Sequence, residues 1–265
     1  MLGKKAFASL TALCFLALAV FVFSALSGRV EKIDHETFID LCSCSPAKEI
    51  KKHLEWGADA NLENSMGVTP IMAAALLNPD PEAITLLHRA GADADKRFSE
   101  KELTPLMLAI EHNDNTGVLE ALIRAGANVN AADKYGFTPL FHAVWKRKWD
   151  RGILGMLIEA GADVNARDIF GYTVLMNAAL ANNSPEVFSL LLAAGADVNA
   201  VANNGVTALL WALGSSDDPE VIRLLLEAGA DANAKFDDGK NALDLALGNE
   251  ALWNTEVIFL LKNYN

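Results

Sequence analysis

The sequence predicts an all-α fold: a stack of about seven helix pairs with turns projecting between them, preceded by one N-terminal hydrophobic helix. Three observations carry this reading. A tag of Gly-Ala-Asp or Gly-Ala-Asn, followed by x-Asn or x-Asp, recurs at Gly57, Gly91, Gly126, Gly161, Gly195 and Gly229. A second tag trails each of these by 12 or 13 residues: "TPIMAA" at Thr69, "TPLMLA" at Thr104, "TPLFHA" at Thr138, "TVLMNA" at Thr173, "TALLWA" at Thr207 and "NALDLA" at Asn241. An uncharged apolar run, Ala6 to Leu26, opens the chain behind Lys4 and Lys5. Chance does not phase two tags over so many copies, and a fixed period of this length is the mark of repeat architectures.

The N-terminal run comes first. As a helix it would extend about 32 Å, enough to cross a bilayer core of about 30 Å. Two readings compete for residues 1–28. An uncleaved signal-anchor explains the length of the run better; a signal peptide cut near "ALS", Ala25 to Ser27, is the other. Both keep Lys4 and Lys5 inside and send residues 29–265 across the membrane. The array then lies on the extracytoplasmic side of a cell membrane, or is free in the periplasm or medium after cleavage. Cys14 lies in the middle of the run and does not fit a lipidation site.

Within each repeat the residues have separate physical tasks. Threonine of "TP" caps a helix whose first turn holds proline, where the missing N–H does no harm. The alanines that follow keep this helix slim, so that neighbours pack closely. A second helix opens at "DPE" (Asp80, Asp218) or "SPE" (Ser184), carries an apolar stripe such as Val187 to Gly195, and stops at glycine. The Asp/Asn/Gly stretch before the next "TP" reads as a projecting turn. The end pairs, 33–57 and 241–265, are atypical and polar, as capping repeats require.

Composition and motifs exclude several functions. A formal net charge of −12 argues against nucleic acid as a partner and against broad adhesion to anionic lipid. The C-x-C of Cys42 and Cys44 supplies too few ligands for zinc and reads as two ordinary buried small residues. The five histidines share no spacing, and no nucleophile-elbow, phosphate-loop, dinucleotide or H-E-x-x-H motif occurs. "DANAKFDDG" begins like a calcium loop at Asp231 but places Phe236 where glycine is needed. No catalytic residue, cofactor or metal site is expected, and the protein is not expected to be an enzyme.

The two tags together resemble the ankyrin repeat, with its period of about 33 residues and Thr-Pro-Leu-His-x-Ala signature. The likeness runs from Ile33 to the C-terminus and is similar in detail to the tandem arrays of bacterial ankyrin proteins. The signature histidine is replaced throughout, by Met72, Met107, Phe141, Met176, Leu210 and Asp244. The resemblance implies a solenoid that binds a protein partner, through exposed inner-helix positions and through the projecting turns, or fingers. Those helix positions are the fifth, eighth and ninth residues from the threonine. Here they include Leu108, Glu111, His142, Trp145, Lys146, Asn177, Leu180 and Trp211. The fingers add Met66, Tyr135 and Phe170, each just before the turn glycine. Large apolar and aromatic side chains at such places suit an interface.

The stretch "TPLFHAVWKRKWDR", Thr138 to Arg151, is the most unusual in the array. His142 and Trp145 fall on inner-helix positions, whereas Lys146 to Arg151 form a connection two residues longer than the resemblance leads one to expect. Lys146, Arg147, Lys148 and Arg151 read as a solvated loop or as a local site for an acidic side chain of the partner.

Overall fold

The computed structural model describes residues 34–146, 151–181, 184–216, 218–235, 239–253 and 255–263. The expectations for residues 1–28 and for Arg147 and Lys148 lie outside this set. Among the described residues are 14 α-helices and one 3-10 turn. No strand is present there; isolated antiparallel bridges (Phe98 with Leu103, Arg167 with Thr173, Lys235 with Asn241) close three of the fingers. The chain divides into two compact units, Met1–Asn128 and Val129–Asn265.

In the first unit, α1 (His35–Cys44) and α2 (Ala47–Glu55) are followed by α3 (Pro70–Leu77), α4 (Pro81–Arg89), α5 (Pro105–His112) and α6 (Thr116–Arg124). The inner helices α1, α3 and α5 pack side by side, and α2, α4 and α6 form an outer row behind them. The second unit repeats the plan. Its inner row is α7 (Pro139–Trp145), α9 (Val174–Ala181), α11 (Ala208–Ser215) and α13 (Ala242–Gly248). Its outer row is α8 (Arg151–Glu159), α10 (Pro185–Ala193), α12 (Pro219–Glu227) and α14 (Glu256–Asn263), with the 3-10 turn Glu250–Leu252 before α14. The described helices thus make seven pairs, as the tags predict.

An inner helix with neighbours on two sides and an outer helix behind has little free surface. Pro70 to Leu76 of α3, which lies between α1 and α5, are accordingly all buried; Pro105 to Ile110 of α5 are buried as well. Each fully buried Ile, Leu or Met contributes about 1.5–3 kcal/mol. The helix starts follow the sequence closely. Thr104, Thr173 and Thr207 accept from the N–H three residues on, at 3.3–3.4 Å. Asp80 and Asp218 cap α4 and α12. Ser184 departs from that pattern, its hydroxyl donating to Glu186 instead, and the buried hydroxyls of Thr69 and Thr138 make no capping hydrogen bond. The methionines in the histidine position keep an acceptor there: Met72, Met107 and Met176 each receive the threonine N–H on Sδ at 3.5 Å.

Two sets of asparagines tie successive repeats together. At the exits of α3 and α5 a buried side chain bridges two carbonyls of the preceding repeat. Asn78 Nδ2 donates to Cys42 and Ser45, and Asn113 Nδ2 to Ala75 and Asn78, at 2.9–3.1 Å. The asparagine of the glycine tag forms the second set. Asn61, Asn130, Asn165 and Asn199 each donate to the next tag's glycine carbonyl, at Gly91, Gly161, Gly195 and Gly229. Each also accepts from the next tag's aspartate N–H.

The fingers are side-chain-nucleated turns. Asn64, Asp133 and Asp168 each accept two backbone N–H groups, from the residues two and four positions on, at 2.8–3.0 Å. Gly136 sits in the left-handed region with φ 83°, and a Cβ there would lie 2.9 Å from Asp168 Cα and 3.0 Å from Ile169 N, so glycine lets the backbones of the two fingers meet. The finger before α5 lacks this glycine. Ser99 and Glu102 take φ values of 63° and 60° in its place.

Of the two cysteines expected to be buried, only Cys42 is a core residue; Cys44 is half-buried. Cys42 is buried, burial pushing its thiol well above the ordinary range, and Cys44 Sγ donates to the Asp40 carbonyl. The end pairs differ from each other. α2 buries only Ala47 and Ile50 and is otherwise polar. The last pair is not polar as expected: Leu247, Trp253 and Phe259 are exposed on it.

Candidate protein-binding surface

The second unit holds most of the expected positions. Trp145 closes α7 with 44% of its surface exposed, and its indole Nε1 donates to Asn177 Oδ1 at 3.0 Å. Asn177 is buried on α9 and also donates to the Thr173 carbonyl. The tryptophan is therefore tethered by the following repeat while much of its surface meets solvent. Leu180, one turn beyond Asn177, is exposed as well. Lys146 is half-buried at the helix exit.

An aromatic run leads from a fingertip down to the inner row. Phe170, 59% exposed, lies 6.5 Å from Tyr172, and Tyr172 lies 6.2 Å from Trp211 on α11, ring centre to ring centre. Asn204 of the next finger donates to the Tyr172 hydroxyl at 2.6 Å. Backbone bonds lock the tips in register: Ile169 N–H to the Tyr135 carbonyl, and Asn203 N–H to the Phe170 carbonyl, both 3.1 Å. Tyr135 is exposed, as are two residues of the following fingers that the repeat pattern did not single out, Ile169 (56%) and Val201 (51%). Their signal was present: both are large apolar residues in a stretch otherwise made of turn formers.

The fifth helix position needs correction. Leu108 in the first unit, and His142 and Asn177 in the second, are buried rather than open to a partner. The cause is visible at His142. The finger ahead of its helix folds over that position, placing Phe137 edge-on at 6.2 Å and Asp133 Oδ2 at 3.5 Å from Nε2. Burial works against ionisation of Asp133. Hydrogen bonds from His142 and from the Phe137 and Tyr135 N–H groups outweigh it and hold the carboxyl below the usual range. Trp211 at the same position is half-buried. In the second unit the eighth position clears the finger, and Trp145 and Leu180 are exposed there; in the first unit Glu111 at this position is exposed but Leu76 is buried. Met66, on the first unit's own finger, is exposed too.

The surface of the second unit therefore consists of rigidly held aromatic and aliphatic groups on a framework of backbone bonds. Such groups can bury area against a partner with little loss of side-chain freedom. They hold no array of donors and acceptors aimed at a reacting atom.

A family model described as ankyrin repeats (3 copies) matches residues 41–131, 71–168, 150–236 and 175–265. No curated protein matches the chain. The matched segments together take in nearly all of the array, with the paired helices, glycine-terminated outer row and projecting turns described above, and the chain belongs to the ankyrin-repeat family.

Proposed function

We propose that the protein is a non-catalytic scaffold that binds a protein partner along the fingers and inner helices of its second unit. The observation that carries this is the run of exposed apolar groups, Tyr135, Ile169, Phe170 and Val201 on the tips and Trp145 and Leu180 below, on turns and helices locked by hydrogen bonds. In this reading Ala6 to Leu26 tethers the array to a cell membrane on its extracytoplasmic side. A soluble adaptor or inhibitor released by cleavage near Ser27 is the alternative, favoured by the small residues "ALS". Intact mass of the purified protein separates the two.

Binding is tested by crosslinking on native membranes, isolating the partner, and measuring its affinity for variants. Trp145→Ala and Trp211→Ala should each weaken it at least about tenfold, near 1.4 kcal/mol, with an unchanged far-ultraviolet spectrum. If both bind normally while Tyr135→Ala and Phe170→Ala do not, the partner lies along the fingertips alone. Normal binding by all four variants would overturn the proposal.

A further inference from the structure

The first helix pair carries a surface that the partner-binding face does not use. α2 is the outer helix of that pair, and Lys48, Lys51 and Lys52 stand exposed along it. Trp56 follows as its C-cap, 42% exposed. Lys52 Nζ lies 4.8 Å over one face of the Trp56 ring, and His53 meets the ring edge-on at 5.0 Å. Glu49 pairs with Lys52 at 3.7 Å and Glu55 with Lys51 at 3.9 Å, both pairs being reached by solvent. Lys48 is the cation these two pairs do not engage, and the three lysines outnumber the two carboxylates. A helix with three lysines and an open tryptophan is unusual in a chain of net charge −12. Lysine with tryptophan is the side-chain pair that favours the boundary between lipid headgroups and hydrocarbon.

Position turns this composition into a site. Only Ser45 and Pro46 separate α1 from α2, so the chain reverses and the end of α2 returns beside the start of α1. The ring contact of Phe38 with His53, at 6.3 Å, fixes that pairing. Trp56 therefore lies at the end of the helix pair where the polypeptide arrives from the apolar run. Ser27 to Ile33 is all the sequence between Leu26 and α1's cap, Asp34, and seven residues reach at most about 25 Å. A bilayer holding Ala6 to Leu26 would keep its headgroups within reach of Trp56 and the α2 lysines.

We infer that the outer helix of the first repeat, through Trp56, Lys48, Lys51 and Lys52, docks on the anionic phospholipid surface of the membrane that holds the chain. This rests on the tethered reading of residues 6–26. Anionic lipid supplies the charge that the lysines match, and each cation near such a surface adds to binding. Docking of this end would hold the first helix pair against the membrane surface.

The test uses the full chain reconstituted into vesicles of phosphatidylcholine with phosphatidylglycerol, some of the phosphatidylcholine brominated to quench nearby indole. The apolar run contains no tryptophan, so quenching reports on the array alone. Wild-type fluorescence should be quenched, and Trp56→Phe should remove most of that loss while keeping the same far-ultraviolet spectrum. Joint reversal of Lys48, Lys51 and Lys52 to glutamate, or raised salt, should lower the quenched fraction at least about twofold. Flotation after a salt wash reads the tether separately. A chain that floats with equal quenching in wild type and Trp56→Phe overturns the docking and leaves the tether standing. Equal quenching in vesicles without phosphatidylglycerol overturns the anionic contact. A chain that does not float overturns tether and docking together.

Discussion

Replacing Asp95 with asparagine should stabilise the protein. In all five other tags the equivalent residue is asparagine. In the four that a further tag follows, its Nδ2 donates to the next glycine carbonyl at 2.7–3.0 Å while Oδ1 accepts the next backbone N–H. Asp95 keeps the second bond, from Asn128 N–H at 2.8 Å, but a carboxylate has nothing to donate to the Gly126 carbonyl. Asp95→Asn restores that donor on a backbone already shaped for it, and it also relieves repulsion between carboxylate and carbonyl. One hydrogen bond at a half-buried site contributes about 0.5–1.5 kcal/mol, so a gain near 1 kcal/mol is expected. Urea unfolding followed by Trp56 fluorescence reports on the first unit, which holds no other tryptophan. The reverse change in the second unit, Asn165→Asp, removes the 3.0 Å bond to Gly195 and should cost a similar amount. If Asp95→Asn is no more stable than wild type and Asn165→Asp is neutral, the amide donor of this ladder contributes nothing and the reasoning fails.

Asn113→Ala should be far more damaging, about 2–3 kcal/mol by urea unfolding, because it strands the buried carbonyls of Ala75 and Asn78; a loss below about 0.5 kcal/mol would refute the bridge. Glu102→Gly should raise stability by about 0.5 kcal/mol, since relief of left-handed strain at φ 60° exceeds the added flexibility of the unfolded chain; calorimetry that finds a lower midpoint would contradict this. Asp133 has a folded pKa below its ordinary value, so its ionised form contributes stability that is complete above about pH 4–5 and is lost as pH falls through the lower folded value. Asp133→Asn should flatten that acid limb in urea titrations at successive pH, and an unchanged slope would show that the carboxyl is not linked to folding.

Most of the fold was legible because it is built from local rules repeated in phase. Threonine before proline, aspartate before proline and glycine after an apolar stripe set the ends of helices by interactions within a few residues, and the structure follows them at Thr104, Asp80 and Asp218. Periodicity supplied the number of pairs. Even the glycine missing from one finger can be read from Glu102, which stands two residues before Thr104 where other repeats have glycine.

The candidate surface was only half legible, because exposure depends on what lies above a residue as well as on the helix face it occupies. Helical spacing placed the fifth and eighth positions on one face and could not distinguish them. The returning finger decided it, covering His142 with Phe137 and Asp133 and leaving Trp145 open one turn later. The Trp145 bond to Asn177 likewise joins residues 32 apart, and the asparagine bridges at Asn78 and Asn113 reach back 33–38 positions. By itself the sequence determined the repeat, its helices and its turns, since each follows from neighbours along the chain. Which apolar side chains remain for a partner was decided only when successive repeats stacked, because that contact buries some members of a face and fixes the others in place.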